Sequence, residues 1–348
     1  MGLVSSVLEE NQLIHGKKSA LGQLSLIKKL RLHQSMAKKA IRVVGASMSI
    51  VVVGSIAFDS VSTPHGKREK SLGGAANYFA IAAQFYTKIC MVGVVGEDFP
   101  KSHLELLKQK NIDISGIAQK AGYSFHWQGE YGFDLNSAQT LKTELNVFED
   151  FLPQLPQSYR HAETVFLANI DPELQIHVLQ QMTKPKIKAL DTMNFWIERK
   201  LNQLKQAISM VDILFVNDAE IRSLTGEHNI IKAAKAALAI GAKIIVIKRG
   251  EYGALLFFDT HVAHVPAFLV EEVFDPTGAG DSFAGGFLGY LDTKDGFSIN
   301  HLKEAMVAGT VMSSFAIEKF SFDRVLELDE TMLSKRKEQL LALSHICL

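Results

Sequence analysis

Residues 275–287 read Asp-Pro-Thr-Gly-Ala-Gly-Asp-Ser-Phe-Ala-Gly-Gly-Phe, and the rest of the chain is organised around this stretch. Its second acid follows three small residues, Gly278, Ala279 and Gly280. This order predicts a tight turn that opens a buried helix, where backbone N–H groups converge on an anion. An anion site beside the Asp281 carboxylate indicates phosphoryl transfer, in which the carboxylate takes a proton. Asp281 could equally serve as a simple helix cap, so this stretch alone leaves both interpretations open.

The composition is that of an ordinary globular protein. The 348 residues are 47% hydrophobic and 21% charged, and 37 basic residues balance 37 acidic ones. A net charge of zero gives no argument for nucleic acid or an anionic membrane as partner. The two cysteines, Cys90 and Cys347, are far apart, which disfavours a disulfide framework and fits a reducing cytoplasm. The apolar runs have the length of strands, so we expect no membrane span.

The first 47 residues differ from the rest of the chain. They are rich in Lys and Arg, and residues 24–32 could form a basic amphipathic helix. We expect residues 1–47 to be a disordered extension, with a transit peptide, a membrane-surface helix or a partner-binding arm as alternatives. Because a predicted strand follows Met48 at once, a true start at Met48 is a further interpretation.

Short β-branched runs alternate with helical patterns from residue 50 onward. We predict strands at 50–53, 89–95, 164–168, 187–191, 213–216 and 243–248. Helices are predicted between most of them, at 75–85, 104–110, 174–182, 197–208 and 230–240. A late hairpin at 254–265 precedes helices predicted at 282–291, 302–317 and 330–343. Continuous apolar strands between helices predict a mostly parallel sheet that is covered on both faces.

Two segments break this alternation. Residues 124–148 alternate aromatic and polar side chains, and residues 58–72 form a second polar insert. Together they predict a small β-sheet lid over the carboxyl ends of the parallel strands, where ligands bind in such sheets. Trp127, Tyr131 and Phe133 could pack this lid, form a dimer contact or stack on a ligand.

Candidate ligand-binding residues follow the first predicted strand. Asp59 could accept hydrogen bonds from adjacent hydroxyls of a polyol, although an ordinary loop aspartate is the simpler interpretation. Gly73 and Gly74 open a helix that carries Asn77. The two glycines let a backbone approach a ligand closely, and Asn77 offers both a donor and an acceptor. A helix-start turn explains the glycines equally well.

Two later strands also end in polar residues. Asn217 and Glu220 have the spacing of a helix cap, and the same oxygen atoms could bind hydrated Mg²⁺; both interpretations can hold together. Lys248 and Arg249 could screen phosphate charge or simply be solvated, and Gly250 could admit a phosphate or a nucleobase. The twelve histidines show no metal-ligand spacing, so a zinc site is not expected.

These motifs together resemble the ribokinase-like carbohydrate kinase (PfkB) family of sugar and nucleoside kinases. Residues 275–283 match its carboxyl-terminal signature, Asp-x-Thr-Gly-Ala-Gly-Asp-x-Phe, without a gap. The two glycines with Asn77 match its amino-terminal glycine motif, Asn217 with Glu220 its magnesium-associated motif, and Asp59 its acid after the first strand. The motifs stand in the expected order over about residues 48–345.

The resemblance implies a three-layer α/β/α kinase domain at 48–345 with a mostly parallel sheet and lid segments near 60–72 and 123–148. It also implies ATP-dependent phosphorylation of a hydroxymethyl group. Asp281 would be the base that takes the hydroxyl proton. The N–H groups of the three small residues would form the anion hole, namely Gly278, Ala279 and Gly280.

The same resemblance implies the remaining roles. The residues that would hold the substrate hydroxyls are Asp59, Gly73, Gly74 and Asn77. Asn217 and Glu220 would bind Mg²⁺ through water and order the ATP phosphates. The further candidate residues for ATP binding are Lys248, Gly250 and Thr277. Asp275 and Thr277 lie where many relatives bind potassium. By family analogy the lid is also a homodimer contact.

Three features depart from the family pattern. Asn169 stands where some sugar kinases place a glutamate that contacts substrate or lid, and residues 314–322 lack the glycine usual near the adenine pocket. The insert at 125–148 looks most like a less characterised bacterial branch of sugar kinases. We therefore expect a cytoplasmic ATP-dependent sugar kinase, with a nucleoside kinase and a catalytically idle sugar- or nucleotide-binding regulator as alternatives.

Overall fold

The computed structural model describes residues 50–343. Residues 1–49 and 344–348 lie outside the described residues, so the predicted basic extension, its amphipathic helix and the start at Met48 stay predictions. In chain order the strands are β1 (Ile50–Val53), β2 (Ala57–Thr63), β3 (Gly66–Gly73), β4 (Ile89–Val95), β5 (Ile112–Gln119), β6 (Phe125–Tyr131), β7 (Ala138–Glu144), β8 (Thr164–Leu167), β9 (Ile187–Asp191), β10 (Ile213–Asn217), β11 (Ile244–Lys248), β12 (Ala254–Phe258) and β13 (His261–Val265).

Helices alternate with most of these strands. In chain order they are α1 (Ala75–Ala83), α2 (Lys101–Gln109), α3 (Pro172–Gln181), α4 (Asn194–Arg199), α5 (Leu201–Ser209), α6 (Asp218–Thr225), α7 (Ile230–Ile240), α8 (Ala279–Asp292), α9 (Ile299–Ala316), α10 (Asp323–Leu326) and α11 (Glu330–Leu343). Short 3₁₀ turns lie at Asn146–Phe148, Tyr159–His161 and Gly250–Tyr252.

The central sheet has the strand order β13-β12-β11-β10-β9-β8-β1-β4-β5. The strands from β11 to β5 run parallel, whereas β12 and β13 add an antiparallel edge. Side chains of β1 alternate between two hydrophobic cores: Ile50 and Val52 enter one, Val51 and Val53 the other. Both faces of the sheet are therefore buried, as the continuous apolar runs predict.

Each core is closed by its own layer of helices. Side chains of α1, α2, α8, α9, α10 and α11 pack in the first core, and side chains of α3 to α7 pack in the second. The three-layer α/β/α architecture expected from the sequence is confirmed. Within residues 50–343 no helix combines the length and the apolar character that crossing a membrane requires.

Two elements differ from the sequence-based expectation. Strand β5 was not predicted because it lies at a sheet edge and mixes apolar residues with polar ones, so its burial is incomplete. The helix predicted at 197–208 is two helices, α4 and α5, interrupted at Lys200, which has φ −135°. The Lys200 ammonium binds Asp171 and Glu173, each at 2.7 Å, at the residue where the helix is interrupted.

The expected lid is a second sheet with the strand order β3-β2-β6-β7. Strand β2 pairs antiparallel with β3 and parallel with β6, and β6 forms an antiparallel hairpin with β7. A row of hydrogen bonds crosses three of its strands: His126 Nε2 lies 2.9 Å from Ser60 Oγ, and His126 Nδ1 lies 3.0 Å from Glu144 Oε2. This row helps to fix the register of the lid.

We expect Phe166→Ala to lower the free energy of unfolding by about 3–5 kcal/mol. Phe166 is fully buried in β8, stacks on Phe79 at 4.3 Å between ring centroids and meets Phe215 edge-on at 6.0 Å. The matched control is Phe133→Ala, because the Phe133 side chain is 97% exposed. Urea unfolding of both variants checks the prediction, and equal stabilities would contradict this account of the core.

Candidate active site

The 275–287 stretch forms the turn and the helix that the sequence predicts. Helix α8 begins at Ala279, and Gly278 before it has φ +72°, a left-handed conformation that glycine adopts without strain. The ring of Tyr78 packs against Gly278, so a side chain would also collide there. The N–H group of Ala279 donates to the Pro276 carbonyl at 3.2 Å, whereas those of Gly278 and Gly280 have no acceptor among the described residues. The N–H group of Asp281 has none either, so three N–H groups are available to an anion at the positive end of α8.

Asp281 lies in the first turn of α8. Its carboxylate makes no hydrogen bond within residues 50–343, which distinguishes it from a simple cap. Burial, together with the charge of Asp191, raises the pKa of Asp281 to about 8, although the Lys248 ammonium opposes this shift. A carboxyl with free lone pairs and a pKa near neutrality is suited to take a proton from an alcohol.

Asp59 is a second buried carboxyl at this site. It lies on β2, and its side chain packs so closely on Gly73 that a Cβ there would collide. The Gly74 N–H donates to it, and the Tyr78 hydroxyl donates to its Oδ2 at 3.4 Å. Burial, with a contribution from Asp275, raises the pKa of Asp59 to about 7. The two glycines therefore have a structural purpose, which is to accommodate and bind this carboxylate.

Asn77 is fully buried in α1. Its Nδ2 donates to the Gly73 carbonyl at 2.7 Å, and its Oδ1 lies 3.4 Å from His103 Nε2. The pKa of His103 falls to about 4 because of burial, so this imidazole is neutral at physiological pH. In this structure Asn77 thus holds the glycine turn that contacts Asp59.

Asn169 follows β8, and its hydrogen bonds go to residues outside the Asp59 and Asp281 groups described above. Its Oδ1 accepts from Trp196 Nε1 at 2.9 Å, and its Nδ2 points to the Met193 sulfur at 3.1 Å. These contacts tie Asn169 to the start of α4. The structure shows no hydrogen bond between Asn169 and the Asp59 or Asp281 carboxylates within its described part.

A cluster of buried charges lies at the carboxyl edge of the central sheet. Asp191 ends β9 and Lys248 ends β11, and Lys248 Nζ binds Asp191 Oδ2 at 2.6 Å. The same Nζ lies 3.0 Å from the point where a Cβ of Gly280 would stand. The ammonium therefore adjoins the turn at Gly278 to Gly280, called the anion turn below after its predicted role. Burial raises the pKa of the nearby Glu220 to about 7, against the effect of Lys248. The edge therefore presents one buried cation beside the free N–H groups of α8.

Asn217 and Glu220 form the predicted helix cap. Asn217 Oδ1 accepts the Glu220 N–H, and Glu220 Oε2 accepts the Asn217 N–H, both at 2.7 Å. One oxygen of the Glu220 carboxylate makes no hydrogen bond within the described residues, and the donor set fits a hydrated magnesium ion. Residues 50–343 contain no group of three or more His, Cys, Asp or Glu side chains arranged to hold a metal ion.

Asp275 anchors the turn before α8. Its Oδ1 accepts the Thr277 N–H at 2.9 Å, and its Oδ2 accepts the Ser321 N–H at 3.0 Å. The carboxyl is buried, which raises its pKa. Both carboxylate oxygens thus already bind backbone N–H groups, and the potassium site expected at Asp275 and Thr277 stays a prediction.

The β6–β7 hairpin contacts both ends of the site. Thr277 Oγ1 donates to the Tyr131 hydroxyl at 3.2 Å. At the hairpin tip, Asn136 Oδ1 lies 3.1 Å from the position of a Gly250 Cβ, and Gly250 has φ +54°. The lid is therefore closed over the segment between the anion turn and the end of β11.

The sequence analysis did not name Asp191 or Tyr78, and it gave Tyr131 as an aromatic ring that could pack, form a dimer contact or stack, not as a hydroxyl that binds Thr277. Asp191 ends a correctly predicted strand at the same sheet edge as Asn217, and that position was a usable signal. The roles of the two tyrosines depend on contacts between distant segments, which no local pattern indicates.

Comparison with known proteins gives consistent matches. The sequence profile of the pfkB family carbohydrate kinases matches residues 41–327. A cytidine kinase of Thermococcus kodakarensis is 34% identical over 253 residues, which cover 69% of this chain and 87% of that protein. A nucleoside kinase of Methanothermobacter thermautotrophicus is 26% identical over 294 residues, which cover 77% and 89%.

The fold also matches a solved structure. The crystal structure of Methanocaldococcus jannaschii nucleoside kinase, an archaeal member of the ribokinase family, aligns with a TM-score of 0.68 at 20% identity. The alignment covers 85% of this chain and 100% of that one. At this identity the likeness shows the fold, and it agrees with the layers and the lid described above.

We expect the ligand-free protein to lose stability as pH rises from about 4 to about 8. Because the pKa of Asp281 is 3.8 when unperturbed and about 8 in the fold, the folded chain binds more protons than the unfolded chain in this interval. Each such carboxyl lowers the free energy of unfolding by up to about 1.4 kcal/mol per pH unit. Urea unfolding at pH 5, 6.5 and 8 measures the slope.

The variant Asp281→Asn should have a shallower slope and be more stable than wild type at pH 8. The control is Asp295→Asn, which removes an exposed acid just after α8 and should keep the wild-type slope. A variant at Asp281 that loses stability relative to wild type as pH rises would contradict the assignment.

Proposed function

The chain belongs to the pfkB family of carbohydrate kinases and is a phosphotransferase with an alcohol acceptor, and on this premise we propose that it transfers the γ-phosphate of ATP to a hydroxymethyl group of a small carbohydrate. The observation that carries the proposal is the Asp281 carboxylate, which makes no hydrogen bond within the described residues and lies beside the free N–H group of Gly280. A base and an anion site are thus adjacent.

Asp281 takes the proton of the attacking hydroxyl. The substrate oxygen then approaches the phosphorus in line with the departing ADP, so little covalent chemistry falls to the protein. Negative charge on the transferring group is stabilised by the N–H groups of Gly278 and Gly280 at the start of α8, with Ala279 shaping the turn.

The other end of the site suits the nucleotide. Lys248 lies beside Gly280 and can meet phosphate charge once it is released from Asp191. Asn217 and Glu220 would hold Mg²⁺ through water, and this ion supplies charge neutralisation for the ATP phosphates. Thr277 and Gly250 would lie beside the bound ATP. Gly250 has no side chain, so a phosphate or a nucleobase could come close to the backbone there.

Asp59 would bind the acceptor. Its carboxylate can accept hydrogen bonds from two neighbouring hydroxyls, and the turn of Gly73 and Gly74 fixes its position. Asn77 stabilises that turn through its hydrogen bond to the Gly73 carbonyl. Asn169, which is bound to Trp196, would contact the acceptor at the edge of the site. Potassium dependence, a homodimer through the lid and a cytoplasmic location belong to the same proposal.

A nucleoside is the second candidate acceptor. Trp127 pairs in register with Asp59 across β2 and β6, so the two side chains lie on the same face of the lid. The indole lies across Gly129, where a side chain would collide with it. An aromatic ring next to the acceptor-binding carboxylate is suited to stack on a base. The relatives named above are a cytidine kinase and a nucleoside kinase, which supports testing this class.

The first prediction concerns the base. Asp281→Asn should lower kcat by about 100- to 10,000-fold, because the amide cannot take the hydroxyl proton. The fold and ATP binding should be largely unchanged, since the Asp281 carboxylate makes no hydrogen bond within residues 50–343. Steady-state kinetics and calorimetric ATP binding measure both, with Asp295→Asn as the control. A kcat close to that of wild type would contradict the assignment of Asp281 as the base.

The second prediction concerns the acceptor. A panel of pentoses, hexoses and nucleosides with ATP and Mg²⁺ should give turnover with at least one sugar-containing alcohol. If nucleosides are the substrates, Trp127→Ala should raise their KM about tenfold or more through lost stacking. Phe133→Ala removes an exposed aromatic ring of the lid and should leave both kcat and KM unchanged. Thermal stabilisation by a sugar without any turnover would favour an idle binding protein instead.

A further inference from the structure

Tyr131 ends β6 and brings a hydroxyl from the lid into the catalytic centre. Its oxygen accepts a hydrogen bond from Thr277 Oγ1 at 3.2 Å. Within residues 50–343, this is the hydrogen bond that joins the β6–β7 hairpin to the 275–281 segment. Thr277 immediately precedes Gly278, so the phenol oxygen lies next to the anion turn.

The surroundings of this phenol leave its proton available. Burial raises the pKa of Tyr131, and the carboxylates of Asp275, Asp59 and Asp281 raise it further, so the group stays neutral at physiological pH. A phenol can donate one hydrogen bond while it accepts another. Thr277 Oγ1 is the hydrogen-bond partner that the described chain gives this phenol, and a hydroxyl pair of this kind can exchange donor and acceptor roles when a ligand binds.

A neutral phenol that is hydrogen-bonded to Thr277, next to the turn at Gly278 to Gly280, is placed to donate to a ligand bound at that turn. The free N–H groups of Gly278, Gly280 and Asp281 approach the same space from the helix. A phosphoryl group bound there carries several oxygens with more than one lone pair each, and three N–H donors do not satisfy all of them. The Tyr131 hydroxyl, which comes from the lid, would add a further hydrogen-bond donor to the N–H groups of the helix.

We propose that Tyr131 is a catalytic residue carried by the lid, whose hydroxyl donates a hydrogen bond to the transferring phosphoryl group when the lid is closed. This inference rests on the proposed function. It also gives lid closure a direct chemical consequence, because the phosphoryl site is complete only when β6 is in place. The contact of Asn136 with the Gly250 turn seats the same hairpin at its other end.

The first test is Tyr131→Phe, which keeps the ring and removes the hydroxyl. We expect kcat to fall about 100-fold, as for loss of one oxyanion donor, while KM for ATP and for the acceptor changes less than about twofold. Tyr123→Phe is the matched control, because Tyr123 is 71% exposed, and it should behave as wild type. A kcat for Tyr131→Phe within about threefold of wild type overturns the proposal.

The second test separates the hydroxyl from its orienting partner. Thr277→Val removes the donor to Tyr131 and should lower kcat by itself. In the double variant with Tyr131→Phe, the loss should not exceed that of Tyr131→Phe by more than about twofold, because both act through one group. Losses that multiply independently overturn the coupling.

The third test needs no acceptor and therefore stands apart from the proposed function. Calorimetry compares the binding of Mg-ADP alone and of Mg-ADP with aluminium fluoride, which occupies the place of the transferring group. Tyr131→Phe should weaken the fluoride complex about tenfold or more and leave ADP affinity unchanged. If the substrate panel fails but this difference is found, the proposed acceptor is wrong and the role of Tyr131 is supported. Equal weakening of both complexes, or of neither, overturns that role.

Discussion

Burial of carboxyl groups at one edge of the central sheet is the constraint on which the rest of the site depends. An ionised carboxylate in such a place costs several kcal/mol unless a partner compensates it. Lys248 compensates Asp191 directly, at 2.6 Å. Asp59, Glu220 and Asp281 lack an equally close cation, and their pKa values rise to about 7, 7 and 8. The ligand-free site therefore retains protons near neutral pH and is ready to exchange them.

The same constraint determines how an anionic nucleotide can enter. Carboxyl groups at this edge repel phosphate when they are ionised and do not when they retain their protons. Positive potential comes from the start of α8, from its free N–H groups at Gly278 and Gly280, and from the Lys248 ammonium. Because Lys248 is bound to Asp191, a cation held near Glu220 is the natural complement to the phosphate charge. On the proposed function, binding of Mg²⁺ and nucleotide would then offset part of the cost that burial imposes.

Local patterns allowed most of the fold and part of the site to be predicted. Apolar runs located the parallel strands and the 275–287 motif located the anion turn, because both depend on neighbouring residues. Strand β5 was missed because an edge strand need not be apolar, and the helix break at Lys200 lies where the ammonium binds acids from a distant helix start. Likewise, no sequence spacing indicates that Asn77 binds the Gly73 carbonyl and faces His103.

The lid explains why the spatial relation of Asp59 and Tyr131 lay beyond local patterns, although the sequence analysis named both residues. Asp59 on β2 and Tyr131 on β6 are far apart in the chain, yet their strands pair in register over six residues, from Ala57 with Phe125 to Ser62 with Glu130. A hydrogen-bonded strand pair moves as one body. The Tyr131 hydroxyl already lies 3.2 Å from Thr277 Oγ1, so on the proposed function an acceptor bound at Asp59 would hold the hydroxyl in this place. On the proposed function, acceptor recognition at Asp59 and the hydrogen bond at Thr277 are therefore coupled through one small sheet.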